Sequence, residues 1–167
     1  MVAAYHRAMP DLTDAGTRSE PTVVGGLPAA GFAFPGPLRD RLTALVLEGA
    51  KIASAGLLAD YIVEGAVVPR AGDREVVLDS DLLPVAMLET TRCELATIST
   101  VSDQFARDEG EGFADAVEWR IAHERFWNGY LDDLRRGLGD PSFALTDSTP
   151  VVCQWFTVVE RLDPGAS

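Results

Sequence analysis

The sequence predicts an α+β domain, a small mixed β-barrel with flanking helices. Two observations carry this. Apolar residues recur with helical spacing at 38–46 and again at 119–134, whereas residues 150–162 alternate with the period of a strand. The order of elements is mixed, and hairpins with crossing helices suit a small barrel. A chain of 167 residues, 47% hydrophobic, is long enough for one sizeable core and has a globular composition.

Residues 1–30 mix Pro, Gly, Thr, Asp and Ala without periodicity and read as a flexible tail. The domain is expected over 31–163, with a short tail at 164–167. Pro37 opens a helix in which Leu38, Leu42, Leu45 and Val46 form one stripe, and Gly49 stands at the C-cap. LLADYIVEG predicts a short helix closed by Gly65. Pro69 and Gly72 mark a turn before a strand over Arg74 to Leu78, and 84–98 predicts one bent strand or two. After Thr100, hydroxyl residues and Asp103 are candidate caps for about two helical turns, broken at Gly110 and Gly112. The longest helix is expected from about Asp115 to Arg136, with Trp119, His123, Phe126, Trp127, Tyr130 and Leu134 on one face.

The formal charge of −12, from 26 acids against 14 bases, argues against a duplex DNA binder, because polymeric nucleic acid is held by a basic face. A local pocket for one nucleotide or a short single strand is compatible with it. No apolar run reaches the roughly 18 residues of a membrane span, and the N-terminus lacks the pattern of a signal peptide. A cytoplasmic location is therefore expected, away from membranes. Cys93 and Cys153 have no CxxC or Cys/His clustering and read as buried free thiols. No metal-ligand spacing or phosphate-cradling glycine motif is present, so no cofactor is expected. Nothing in the sequence gives the oligomeric state.

Thirteen of the 14 basic residues are arginine, and Lys51 is the lysine. A lysine can move a proton where a guanidinium cannot. By itself, Lys51 also suits a solvated cation just past a helix end.

Three stretches together resemble the ASCH family. Glu48-Gly49-Ala50-Lys51-Ile52-Ala53-Ser54 is similar to the family's G-x-K-x-x-(S/T) signature. Pro69-Arg70-Ala71-Gly72-Asp73 is similar to its P-x-x-G-D turn. Phe105 to Gly112 is similar to its late carboxylate segment, followed by a tryptophan-bearing helix and a closing Pro-Val-Val-Cys strand. The match runs from about Phe32 to Leu162. It implies a PUA-like β-barrel with a cleft and RNA-related chemistry. Some bacterial members remove acyl groups from modified cytidine, and others are described as cutting single-stranded RNA. Many members carry arginine two residues after the Ser/Thr, where this chain has Gly56.

The resemblance implies a working group of Lys51, Ser54 and Glu109. A lysine in a dry cleft can accept a proton, a serine can attack or orient water, and a carboxylate can relay the proton or bind an exocyclic amine. On a regular strand, residues 51 and 54 would face opposite ways, so the backbone must turn near Ile52 if both line one cleft. Glu109 sits in a run with six acids and one arginine between Asp103 and Glu118, which also suits a solvated loop, and Glu111 is its rival if the register slips by two. Glu89, flanked by Leu88 and Thr90 and expected to face inward, and Tyr61, at the cleft edge, are further candidates for substrate contact. His123 and the tryptophans read as core. The expected activity is hydrolysis of a small modified nucleoside, with single-strand ribonuclease and non-catalytic RNA or nucleotide reader as the other readings.

Overall fold

The computed structural model describes residues 20–163; residues 1–19 and 164–167 of the expected tails lie outside them. The chain is α+β, but its sheet does not close into a barrel. Six strands, β1 (Val23–Val24), β2 (Leu27–Ala30), β3 (Ala53–Leu57), β4 (Arg74–Leu78), β5 (Pro84–Thr97) and β6 (Pro150–Arg161), lie in the order β1-β2-β4-β5-β6-β3. Pairings are antiparallel except β2 with β4. A barrel would need β1 and β3 to pair. Instead the outer edge of β3 is occupied: the Ile52 N–H donates to the Asp108 carbonyl, and the Ala55 N–H donates to the Glu109 carboxylate. That cover disposes of an otherwise open edge.

The expected tail is also shorter than its composition implies. Val23 to Ala30 form a hairpin around Gly25 and Gly26, both at positive φ, and β2 then joins the sheet beside β4. Glu20 is tied down by Arg39, whose buried guanidinium reaches its carboxylate at 2.7 and 3.2 Å.

Helices cover both faces. α1 (Pro37–Glu48) begins at its proline and ends on Gly49 in the left-handed conformation, as expected. Its Leu42 and Val46 pack with Phe32, Val77, Leu88 and Phe156, while Leu38, at 40% exposure, leaves the stripe. α2 (Leu58–Glu64) ends on left-handed Gly65. α3 (Asp103–Asp108) is capped by the Ser102 hydroxyl, which accepts from the Phe105 N–H. α4 (Ala116–Asn128) and α5 (Leu131–Leu138) replace the one long helix expected at 115–136. The break falls at Gly129 and Tyr130, where the Tyr130 hydroxyl donates to Asp60 of α2 at 3.0 Å. The apolar spacing runs through this break, so periodicity does not reveal it.

The expected run at 84–98 is one strand, β5, with register shifts between Met87 and Leu88 and between Thr90 and Arg92 that bend it. Of the two free cysteines, Cys153 is buried and Cys93 half-buried. Among the described residues, no helix is long and apolar enough to cross a membrane.

Candidate functional site

Lys51 leaves α1 through the Gly49 cap, its N–H donating to the Leu45 carbonyl. Its side chain is 1% exposed. Nζ lies 2.6 Å from Glu111 Oε1, 3.4 Å from the Glu109 carbonyl and 3.9 Å from Glu109 Oε1. The Phe32 ring centroid is 5.8 Å away. The amine therefore sits in a dry hollow, as expected, but between two carboxylates rather than among small apolar residues alone. An open depression of about 520 Å³, lined in part by Gly49, Lys51, Ile52, Phe156 and Thr157, adjoins it.

Gly110 makes the double grip on the amine feasible. It has φ +66°, and a Cβ there would collide with the Ala50 carbonyl. This close approach of backbone to backbone brings Glu109 and Glu111 against the residue that follows Ala50. The register question is thus answered by both acids at once: Glu109 lies beneath the amine and Glu111 beside it.

Glu109 is fully buried at 0% exposure. Oε1 accepts from the Ala55 N–H at 2.7 Å, and Oε2 accepts from Trp119 Nε1–H at 2.9 Å. His123 Nε2 stands 3.2 Å from Oε2 in an ion-pair contact too poorly aligned for a good hydrogen bond, and its Nδ1 is 2.9 Å from the Trp119 carbonyl. A backbone carbonyl only accepts, so Nδ1 carries the hydrogen that it donates. Burial alone would raise the Glu109 carboxyl. The Lys51 ammonium and His123 outweigh that and hold it well below the usual carboxylate range. A carboxylate so well supplied with donors stays ionised. It positions Lys51 and is a poor carrier of a proton, whereas Glu111 has fewer competing partners.

Ser54 is buried on β3, directly opposite Gln154 of β6. Cross-strand partners share a face, and residue 156, two on from 154, shares it too. Phe156 packs on Phe32 at 5.8 Å, the ring beneath Lys51 Nζ. The turn required near Ile52 is present: its N–H points to Asp108 and its carbonyl to Phe156, opposite directions that a regular strand residue does not combine.

The other two candidates lie elsewhere. Glu89, expected to face inward, is on the outer face and pairs with Arg74 across the strands at 2.8 Å, both side chains partly exposed. The β5 alternation puts Leu88 and Thr90, not Glu89, inside. Tyr61 is buried at 2%, and burial with the nearby Glu75 carboxyl pushes its hydroxyl well above the ordinary range. It belongs with Glu75 rather than at an open cleft edge. Sequence reasoning gave His123 and Trp119 to the core, and both are buried, but each also serves Glu109. It missed Glu75, Thr90 and Gln154 altogether. A single acid beside the apolar run Val76-Val77-Leu78 of a short strand was the signal available for Glu75. Among the described residues, no cluster of His, Cys, Asp and Glu is arranged to hold a metal.

The family model for the ASCH domain matches residues 31–160. This chain belongs to the ASCH domain family. An Enterococcus faecalis protein of known structure is 30% identical, with a TM-score of 0.64 over 74% of this chain and 70% of its own. The ASCH domain of a Lactobacillus crispatus protein is 27% identical, with a TM-score of 0.65 over 78% of each chain. No functionally curated protein matches. The ASCH family is RNA-related in general, and its PUA-like fold is present here with the sheet left open.

Proposed function

We propose that this ASCH protein hydrolyses a small modified nucleoside, an acylated cytidine being the substrate class that suits it best. The observation that carries this reading is the buried Lys51 amine, 2.6 Å from Glu111 and beside an open depression that a nucleoside could enter. In the reaction, water attacks the amide carbonyl of the acyl group and gives its proton to Lys51, with Glu111 accepting the lysine's own proton beforehand. The bond from carbonyl carbon to exocyclic nitrogen then breaks. Lys51 delivers the proton to that nitrogen, and the products are the carboxylic acid and the free cytidine. Ser54 orients the water, or attacks first to form an acyl-serine ester as cytidine leaves, which the water then hydrolyses to the carboxylic acid and free serine. Glu109 keeps the lysine in place.

The net charge of −12 favours a small uncharged substrate over a polyanion. A single-strand ribonuclease working in the same cleft is the second reading, favoured by the family's general tie to RNA, and a non-catalytic RNA or nucleotide module is the third.

Purified protein incubated with a panel of acylated nucleosides and with single-stranded RNA, followed by chromatography, separates these readings. The proposal expects release of cytidine at a rate nearly indifferent to salt, and intact RNA. Cleavage or binding of RNA that falls steeply with salt would favour the other readings. Lys51→Arg should lose almost all turnover if the amine moves a proton, whereas a phosphate contact would tolerate it in part.

A further inference from the structure

A second polar group lies on the sheet away from Lys51. Glu75 of β4 and Thr90 of β5 line a cavity of about 750 Å³ whose walls include Leu27, Pro28, Val67 and Pro69. Behind that wall stands Gln154, 1% exposed. Its amide nitrogen donates to Glu75 Oε1 at 3.0 Å and to the Thr90 hydroxyl at 2.8 Å. Its amide oxygen, Oε1, is buried with no hydrogen-bond partner. A buried acceptor left without a donor costs free energy of about 1–3 kcal/mol unless something supplies one.

The remaining polar groups of the cavity point the same way. Glu64 and Asp73 add two further carboxylates. The cation among the lining residues, Arg74, is turned to Glu89 at 2.8 Å. The wall is thus rich in acceptors and short of donors. Anions and phosphates would meet three acids, and a neutral heterocycle would leave its own acceptors unpaired. An apolar body carrying a charged N–H group satisfies both the walls and the acceptors.

We infer that the cavity fronted by Glu75 and Thr90, with Gln154 behind it, is a binding site for a small organic cation, an ammonium or amidinium group on an apolar body. This site is separate from the Lys51 hollow and does not depend on the proposed hydrolysis. The cation pairs with Glu75 and extends an N–H toward the acceptors around it. Burial holds the Glu75 carboxyl up at about 7. The groups that face it are Asp73 just before its strand, the Gln154 amide, and the Tyr61 hydroxyl and Cys93 thiol, whose own titrations it raises. An arriving cation favours the ionised carboxyl, so binding releases a proton and strengthens as the pH rises through the neutral range.

Isothermal titration of the full chain with phenethylammonium, 2-phenylethanol and 3-phenylpropionate tests this. The ammonium should bind at least about tenfold more tightly than the alcohol, and the carboxylate should not bind. In buffers of different ionisation enthalpy, the ammonium should release protons near pH 7. Glu75→Gln keeps the shape and the hydrogen bond to Gln154. It should melt at or above the temperature of the native chain while losing about tenfold in ammonium affinity and all of the proton release. The side-chain amide signals of Gln154 should shift on ammonium addition. Equal binding of ammonium and alcohol would overturn the inference. So would ammonium binding untouched by Glu75→Gln, or an unmoved Gln154 amide.

Discussion

Glu109 and Glu75 are the same residue type, both buried against one sheet, yet their carboxyls are displaced in opposite directions. Burial raises each of them. Glu109 has an amide N–H, an indole N–H, an imidazole and an ammonium around it, and these reverse the effect. Glu75 has the single amide of Gln154, and burial wins, lifting it to about 7. The donors supplied, rather than the depth of burial, decide whether a buried acid here is a fixed anion or a group ready to titrate. A fixed anion suits holding a lysine. A titrating acid in a cavity wall suits meeting a ligand.

The comparison can be broken most forcefully at Glu109. Glu109→Ala leaves the buried Lys51 ammonium without the carboxylate beneath it, and should cost about 3–5 kcal/mol in urea denaturation, with the proposed hydrolysis lost. Gly110→Ala comes next. It forces a side chain into a left-handed position against the Ala50 carbonyl, and should cost about 3 kcal/mol while loosening the Glu111 grip on Lys51.

A pH series sharpens the contrast. Glu75 binds its proton more tightly folded than unfolded, so its contribution is full below about pH 4.5 and is lost as the pH climbs to about 7. Asp60, also raised by burial to about 7, acts in the same sense. Glu75→Gln should flatten this decline by about 2–3 kcal/mol between acid and neutral pH. Glu109 has the opposite sign: its contribution stands above the ordinary carboxylate range and is lost as the pH falls below it. At the small end, Glu89→Ala removes a partly exposed ion pair with Arg74. It should change stability by less than about 1 kcal/mol and leave the proposed hydrolysis alone.

Much of the fold was legible from local signals. Pro37 and Gly49 bound α1, Gly65 ends α2, and the turn at Pro69 and Gly72 marks the strand Arg74 to Leu78, because caps and turns are set by a few neighbouring residues. What escaped depends on distant partners. The helix breaks at Gly129 and Tyr130, where the Tyr130 hydroxyl meets Asp60, 70 positions away. The sheet stays open because Glu109 and Asp108 occupy the edge of β3, 54 and 56 positions from the groups they accept. In the site, Lys51 and Glu109 follow from the family resemblance, but the part played by Glu111 needed the Gly110 turn, which no periodicity reports. Glu89 failed for a local reason: a strand's pleat gives neighbouring residues opposite faces, and the inward positions belong to its neighbours Leu88 and Thr90.

Carbon-13 NMR titration of the glutamate side-chain carboxyls, assigned through Glu109→Gln and Glu75→Gln, tests the contrast between these two acids most directly. The Glu109 signal should stay that of a carboxylate until the protein unfolds in acid, while Glu75 should titrate near 7. A Glu109 signal that moves through the ordinary carboxylate range in the folded protein would contradict it, for the lysine would then have no fixed anion beneath it.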